Sequence, residues 1–247
     1  MPAPMRIFVF ASQKGGSGKT TLAGHVAVQA ALAGHGPVAI IDTDPQGSLE
    51  QWRAARTADM PTYIKADMTT LASAVDQARA AGVRLLVIDT PPAITRQISD
   101  VVAHADLVLV PTRPSPHDLR AVGPTVDIAE WHKKQMIFVV NAATPRARIT
   151  SDAAVALSQH GTVAPVTLHH RVEFAAAMID GRTVMEAKPA GRSAREMTEL
   201  WEYLAERIAR MDAADEEQAG AAAPRVPYRT NLNALGRSAP MFGRRAN

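Results

Sequence analysis

Short, continuously apolar runs alternate with longer amphipathic segments along this chain. Six of the runs read as strands buried on both faces: Ile7–Ala11, Val38–Asp42, Leu85–Asp89, Leu107–Pro111, Ile137–Asn141 and Val163–Thr167. Between them, apolar positions recur at helical spacing over Lys19–Ala33, Leu71–Ala80, Ile94–Ala103, Leu119–Trp131 and Ser151–Gln159. This alternation predicts an α/β fold, a single-domain, mostly parallel twisted sheet flanked by helices. Gly34-His35-Gly36-Pro37 stops the first helix before the second strand. A last helix, roughly Ser193–Met211, carries Met197, Leu200, Trp201, Leu204 and Ile208 at core-facing positions.

Composition narrows the picture without changing it. The 247 residues are 47% hydrophobic but only 4% aromatic, so the core has to be built from Ala, Val, Leu and Ile. Cysteine is absent, which excludes disulfides, thiolate metal sites and iron–sulfur clusters and fits a reducing cytoplasm. The first residues do not read as a signal peptide, and no apolar run approaches the length of a membrane span. After Asp212 the character shifts: Asp215-Glu216-Glu217 gives way to a stretch from Arg225 with five arginines and no acid. The expected organisation is a folded domain over 1–211 and a flexible basic tail over 212–247.

In a parallel sheet, ligands gather at the carboxyl ends of the strands, and three such ends here carry phosphate chemistry. The first is K-G-G-S-G-K-T, Lys14–Thr20, directly after the first strand. The usual phosphate loop, G-x-x-x-x-G-K-S/T, would have glycine at position 13; this chain has Gln13 and, next to it, Lys14. Gly15, Gly16, Ser17 and Gly18 let backbone amides close around phosphates, Lys19 reaches the terminal ones, and Thr20 offers a hydroxyl to Mg²⁺. The second is Asp42-Thr43-Asp44-Pro45-Gln46-Gly47, where Asp44 is suited to orient an attacking water and Asp42 to buttress it. The third, Leu85–Pro92, is an apolar strand ending in one acid, Asp89, a Walker B arrangement that can hold Mg²⁺. An aspartate after a strand is also an ordinary turn former or helix cap, so each acid alone is ambiguous. Lys14, at the loop entrance, tends to point away from its own phosphates. The flat Gly15-Gly16 surface would let a second subunit approach, each Lys14 then reaching the other's nucleotide. The plainer alternative is a solvated lysine near a polyanion.

On these residues the chain resembles the ParA/MinD superfamily. Lys14–Thr21, Asp42–Gln46 and Ile88–Pro92 look like its deviant Walker A, Walker A′ and Walker B motifs. Val110–Leu119, Arg171–Glu186 and Pro189–Glu196 resemble later segments of its short ParA branch, and together the likeness covers about residues 5–210. The resemblance implies an ATPase using ATP and Mg²⁺. Lys14 would be the signature lysine, Lys19 the Walker lysine and Asp44 the catalytic acid. Thr20 and Asp89 would hold the metal, Gly15–Thr21 the phosphates, and Asn141 would contact adenine. It further implies an ATP-bound homodimer that binds DNA without sequence preference and is released when a ParB-like or cargo-adaptor protein stimulates hydrolysis. Such a protein would be cytoplasmic and nucleoid-associated. No helix-turn-helix precedes the loop, so an operator-binding role is not expected.

Candidates for the DNA surface are Arg171, Lys188, Arg192 and Arg195, with His169 and His170 nearby; Glu186, Glu196 and Glu199 lie among them, as they would on an ordinary solvated face. MinD-like relatives end in a membrane helix. Here Pro227, Gly236, Pro240 and Gly243 interrupt the apolar residues Leu232, Leu235, Met241 and Phe242, so membrane targeting is disfavoured. A small-molecule ATP-dependent ligase of similar fold is a further alternative, against which the segments after residue 110 count. The cargo stays open among plasmids, chromosomal origins, chemoreceptor arrays and carboxysomes. His25, His35 and His104 show no metal-ligand spacing and read as helix-end residues.

Overall fold

The computed structural model describes residues 4–92 and 96–222. Through them run strands β1 (Arg6–Phe10), β2 (Val38–Asp42), β3 (Thr62–Tyr63), β4 (Leu85–Asp89), β5 (Leu107–Thr112), β6 (Gln135–Val140) and β7 (Thr162–Val163). They form one sheet in the order β3-β2-β4-β1-β5-β6-β7, every pair parallel. The α/β expectation is met. The helices in chain order are α1 (Lys19–Leu32), α2 (Ser48–Ala55), α3 (Leu71–Ala80), α4 (Arg96–Ala103) and α5 (Pro116–Arg120). They continue with α6 (Gly123–Trp131), α7 (Arg148–Ser158), α8 (Val172–Met178), α9 (Val184–Ala187) and α10 (Arg192–Ala222).

The period-two geometry of a strand sends neighbouring side chains to opposite faces, and both faces of this sheet are covered. Phe8 and Phe10 of β1 enter a core shared with Leu22 and Val26 of α1 and Met197 and Trp201 of α10. Ile7 and Val9 enter the other, with Leu71 and Val75 of α3 and Val101 of α4. That two-sided burial is why the strands read as unbroken apolar runs.

The differences from expectation are local. The helix expected over Leu119–Trp131 is two. Ser115 caps α5, its Oγ accepting from the Asp118 amide at 3.2 Å, and Pro124 at the start of α6 cannot continue a preceding turn. Helix α10 runs past the expected end at Met211 to Ala222, through Ala213, Ala214, Glu216, Glu217 and Gln218, all good or tolerable helix formers. The rest of the expected tail, residues 223–247, lies outside the described residues, as does the start of the helix expected from Ile94. Helices α2, α8 and α9 and the two-residue edge strand β3 were not foreseen.

His25 is not at a helix end. It sits inside α1, fully buried, with its ring 5.2 Å from that of Phe174 in α8. The Val184 amide donates to Nε2 at 3.2 Å, so the proton is on Nδ1, which donates to the Thr21 carbonyl at 2.7 Å. The neutral ring thus ties the helix carrying the phosphate loop to α9. Burial drives its pKa from 6.5 down to about 4, against smaller upward pulls from the Thr21 carbonyl and Glu186.

Well above pH 6.5 the ring is neutral folded and unfolded, and it adds no pH dependence. Between about 6.5 and about 4 only the unfolded chain takes up the proton, so stability falls as pH falls. The full loss attributable to this one group is ~3 kcal/mol. In urea unfolding at a series of pH values, His25→Gln should therefore show a flatter decline than the wild type across that window. Parallel curves would mean that the ring titrates normally in the fold.

Candidate nucleotide site

The sheet order places β2, β4, β1 and β5 side by side, so the loops leaving their carboxyl ends meet. Short hydrogen bonds lace these ends together. The Thr90 hydroxyl donates to the Phe10 carbonyl at 2.8 Å, and the Thr43 amide and hydroxyl both donate to the Asp89 carbonyl, at 3.0 and 2.7 Å. The loop after β1 then turns into α1 at Gly18. There φ is +100°, which favours glycine, and an added Cβ would lie 2.2 Å from Asn141 Nδ2 and push that side chain aside. Gly18 provides no side-chain cap, and the first turn of α1 holds no acidic residue. Its leading amides, positive by the helix dipole, therefore face the loop without a side-chain acceptor.

The expected site residues divide clearly. Lys19 is buried, and its ammonium donates to the Ser12 carbonyl at 3.1 Å. Burial lowers its pKa, while Asp89 and Asp44 pull it back up. Thr20 donates through its hydroxyl to Asp89 Oδ2 at 2.5 Å, bringing the two expected metal-binding groups together. Asp89 is fully buried and its pKa is raised by that burial. Ser17 Oγ is buried with no hydrogen-bond partner. The Asn141 side chain donates to the Ser17 carbonyl at 2.7 Å. Lys14, Gly15 and Gly16 are exposed at the rim, and Thr21 lines the cavity behind the loop.

This donor set fits a nucleotide triphosphate with Mg²⁺. An orphaned buried hydroxyl, an ammonium held out of water and an uncapped helix start all lack an anion, and phosphates would supply it. The hydroxyl–carboxylate pair offers hard oxygens for a cation that keeps most of its other ligands from water and phosphate. Among the described residues no cluster of three or more His, Cys, Asp or Glu could hold a metal by itself. Behind the loop a cavity of about 180 Å³ is lined by Leu22, Asn141, His169, His170, Arg171 and Phe174, a setting with the mixed apolar and polar character of a base pocket.

Several expected residues are already engaged by neighbours. The Asp42 carboxylate accepts from the amides of Asp44, Leu49 and Glu50 at 2.9, 2.8 and 3.2 Å, so it holds the Asp44 segment and also caps α2. Its pKa is raised by burial in spite of those amides. Asp44, half-buried, receives only the Gln46 amide at 3.0 Å and lies close enough to Lys19 to act on its charge. Arg171 is not presented as a free cation either. Its guanidinium forks onto Glu196 at 2.6 and 2.7 Å, and Glu196 also accepts from the His169 ring and amide at 2.8 and 3.1 Å. This network anchors the wall of the cavity to α10. Lys188 pairs with Glu173 at 2.8 Å, leaving Arg192 and Arg195 exposed. Arg113, which was not singled out from the sequence, reaches the loop at Gly16 and also lines the cavity.

Fold and loop together define a P-loop ATPase of the ParA/MinD superfamily. The VirC1 protein family matches residues 5–199, and the chain belongs to that family. It is 28% identical over 193 residues to "Maintenance of carboxysome distribution protein A" of Halothiobacillus neapolitanus, spanning 74% of this chain and 88% of that one. It is 36% identical over 119 residues to the protein ParA of Rhizobium radiobacter, spanning 46% of this chain and 51%, about half, of that relative. Among solved structures, the septum site-determining protein MinD of Pyrococcus horikoshii with Mg-ADP superposes with a TM-score of 0.71 at 15% identity, covering 84% of this chain and 98% of that one. At that identity the superposition speaks for the fold.

The two aspartates after β2 should separate by substitution. Asp42→Ala removes the acceptor for three amides and should cost about 1–3 kcal/mol in urea unfolding. Asp44→Ala should change stability by less than about 0.5 kcal/mol. Equal losses would show that both are structural.

Proposed function

We propose that this chain is a ParA-type ATPase that binds ATP and Mg²⁺, closes into a homodimer around two nucleotides, and positions a cargo on DNA. The observation that carries the reading is the division of labour between the two lysines of the loop. Lys19 is buried in its own site, while Lys14 stands exposed beside Gly15 and Gly16, a rim that carries no side chains of its own. A lysine so placed serves a neighbouring subunit better than its own, and each subunit alone is then an incomplete site.

In this scheme Gly15–Thr21 and Lys19 cradle the phosphates and Asn141 orients the base. Mg²⁺, held through Thr20 and Asp89, would neutralise charge on the terminal phosphates. Asp44 orients the water that attacks, and Lys14 of the partner stabilises the charge that develops. Hydrolysis removes the phosphate that holds the two subunits together, so the dimer is a nucleotide-timed switch. Release is stimulated by a partner protein of the ParB or cargo-adaptor kind.

The nature of the cargo divides into two readings. Segregation of a plasmid or chromosome is favoured by the likeness to ParA, and positioning of another large body is favoured equally by the relative that maintains carboxysome distribution. Both use the same motor, cytoplasmic and associated with the nucleoid. For the DNA surface, the proposal now rests on Arg192 and Arg195, exposed at the start of α10. Arg171 and Lys188 have their charge engaged by Glu196 and Glu173. Among the described residues no helix is long and apolar enough to cross a membrane.

Lys14→Ala should leave ADP affinity within about twofold and abolish ATP-driven dimerisation in light scattering, since it removes a group that only the closed dimer uses. Dimerisation at wild-type ATP concentrations would sink the cross-subunit role. Asp44→Ala should hold ATP-bound protein on DNA, so prompt release would argue against its catalytic role. Charge reversal at Arg192 and Arg195 should weaken retention on DNA at low salt and flatten its salt dependence; unchanged retention would move the surface elsewhere.

A further inference from the structure

We propose that Arg113 is a phosphate-binding residue of its own subunit, laid across the nucleotide between the loop and the base cavity. The inference rests on the nucleotide-site reading and deepens it. Strand β5 pairs with β1, so the residue that leaves β5 emerges beside the residues that leave β1. Arg113 is that residue, one past Thr112 at the end of β5.

Its backbone is pinned on both sides. The Thr112 carbonyl accepts from the Asn141 amide at 2.9 Å, and the Arg113 carbonyl accepts from the Ser115 amide at 2.8 Å, in the turn that leads to the cap of α5. From this fixed base the side chain runs over the phosphate loop. Its terminal nitrogen lies 3.6 Å from where a Cβ on Gly16 would stand, and the residue also lines the cavity with Gly18, Asn141 and Phe174. The side chain therefore borders both the loop and the cavity, the two ends between which a nucleotide's phosphate chain would lie.

Its charge is uncommitted. Arg113 is exposed, and among the described residues no carboxylate pairs with it, whereas Arg56, Arg171 and Arg182 each fork onto or pair with an acid. A guanidinium keeps its proton at any working pH and presents a planar donor fork that matches two oxygens of a phosphate. Lys14 and Arg113 thus flank the Gly15-Gly16 rim as two cations with different assignments. The lysine, on the outer side, serves the partner; the arginine, anchored at a strand end and turned toward the cavity, serves its own site. Glycine at 16, with φ +73°, leaves room for the guanidinium to lie against the loop.

ADP separates these assignments, because it fills a single subunit without calling for the second. The experiment measures affinity of the full chain for a fluorescent ADP analogue, with unlabelled ADP and adenosine as competitors, for wild type, Arg113→Gln and Arg113→Lys. Arg113→Gln should weaken ADP about 10–100-fold, the loss of a charge-assisted bidentate contact, and leave competition by adenosine unchanged. Arg113→Lys should fall between, keeping charge and losing the fork. Circular dichroism should show all three folded alike. ADP affinity within twofold of wild type for Arg113→Gln would overturn the assignment, and would do so whether or not ATP-driven dimerisation changed. Equal loss of ADP and adenosine would overturn it too, by making the residue a support for the base cavity. A wild type that fails to bind ADP at all would remove the nucleotide site itself, and this assignment with it.

Discussion

Lys19 keeps its ammonium almost wholly out of water, with a backbone carbonyl as acceptor and Asp89 and Asp44 acting on it through space. Burying a cation is costly, and a carbonyl and two distant carboxylates are a weak return. The arrangement makes sense as one half of an interaction whose other half is an anion. The same holds for the unpartnered Ser17 hydroxyl and for the uncapped amides at the start of α1. All three sit where they do because four parallel strands end side by side. Threonines 43 and 90 then bind those ends into one rigid edge, and the two buried cores hold the strands in place.

Behind that edge, the chain spends its buried charge on holding the site's walls. Glu196 gathers Arg171 and the His169 ring, so α10 fixes the face of the cavity opposite the loop. Arg56, at the end of α2, forks onto Glu186 and also donates to the Gly181 carbonyl at 2.9 Å, joining the helix that Asp42 caps to the segment around α9. An added Cβ at Gly181 would lie 2.4 Å from the Arg56 backbone, so this junction is packed to contact. Both pairs are partly shielded from water, so removing one partner would leave the other's charge without its acceptor or donor in the wall. His25 closes the ring by joining α1 to α9. Loop, Asp44 segment and cavity wall are therefore cross-linked by hydrogen bonds and ion pairs between α1, α2, α9 and α10.

What could be read in the sequence follows from what generates each element. The central strands were legible because burial on both faces leaves only apolar residues, and the loop was legible because its glycines and lysines sit at fixed spacing. The short pieces were not. Strand β3 is two residues held at an edge by pairing with Ala39 and Ile40, and α8 and α9 have too few residues for a periodic signal. Residue roles were missed where a partner is remote in sequence. Asp42 read as a buttress to Asp44, and its second role, as a cap, emerges only when Leu49 and Glu50 turn back over it. Arg171 looked like a surface cation until Glu196, twenty-five residues on, was folded against it. Arg113 carries a signal that could have been used, a cation one residue past an apolar strand, but its meaning depends on β5 lying next to β1, and strand order is a property of the fold.

The central claim is that one subunit is an incomplete site, finished by Lys14 of another. A mixing experiment tests it most directly, using Lys14→Ala and Asp44→Ala variants, each expected to be inactive alone. In a mixed dimer, the subunit lacking Lys14 retains Asp44 and receives Lys14 from its partner, giving one complete site. Equimolar mixing should therefore restore ATP hydrolysis above that of either variant alone, up to about a quarter of the wild-type rate, the ceiling reached when half the subunits' pairings are mixed and each mixed dimer has one working site. A mixture as inactive as its components would contradict the account.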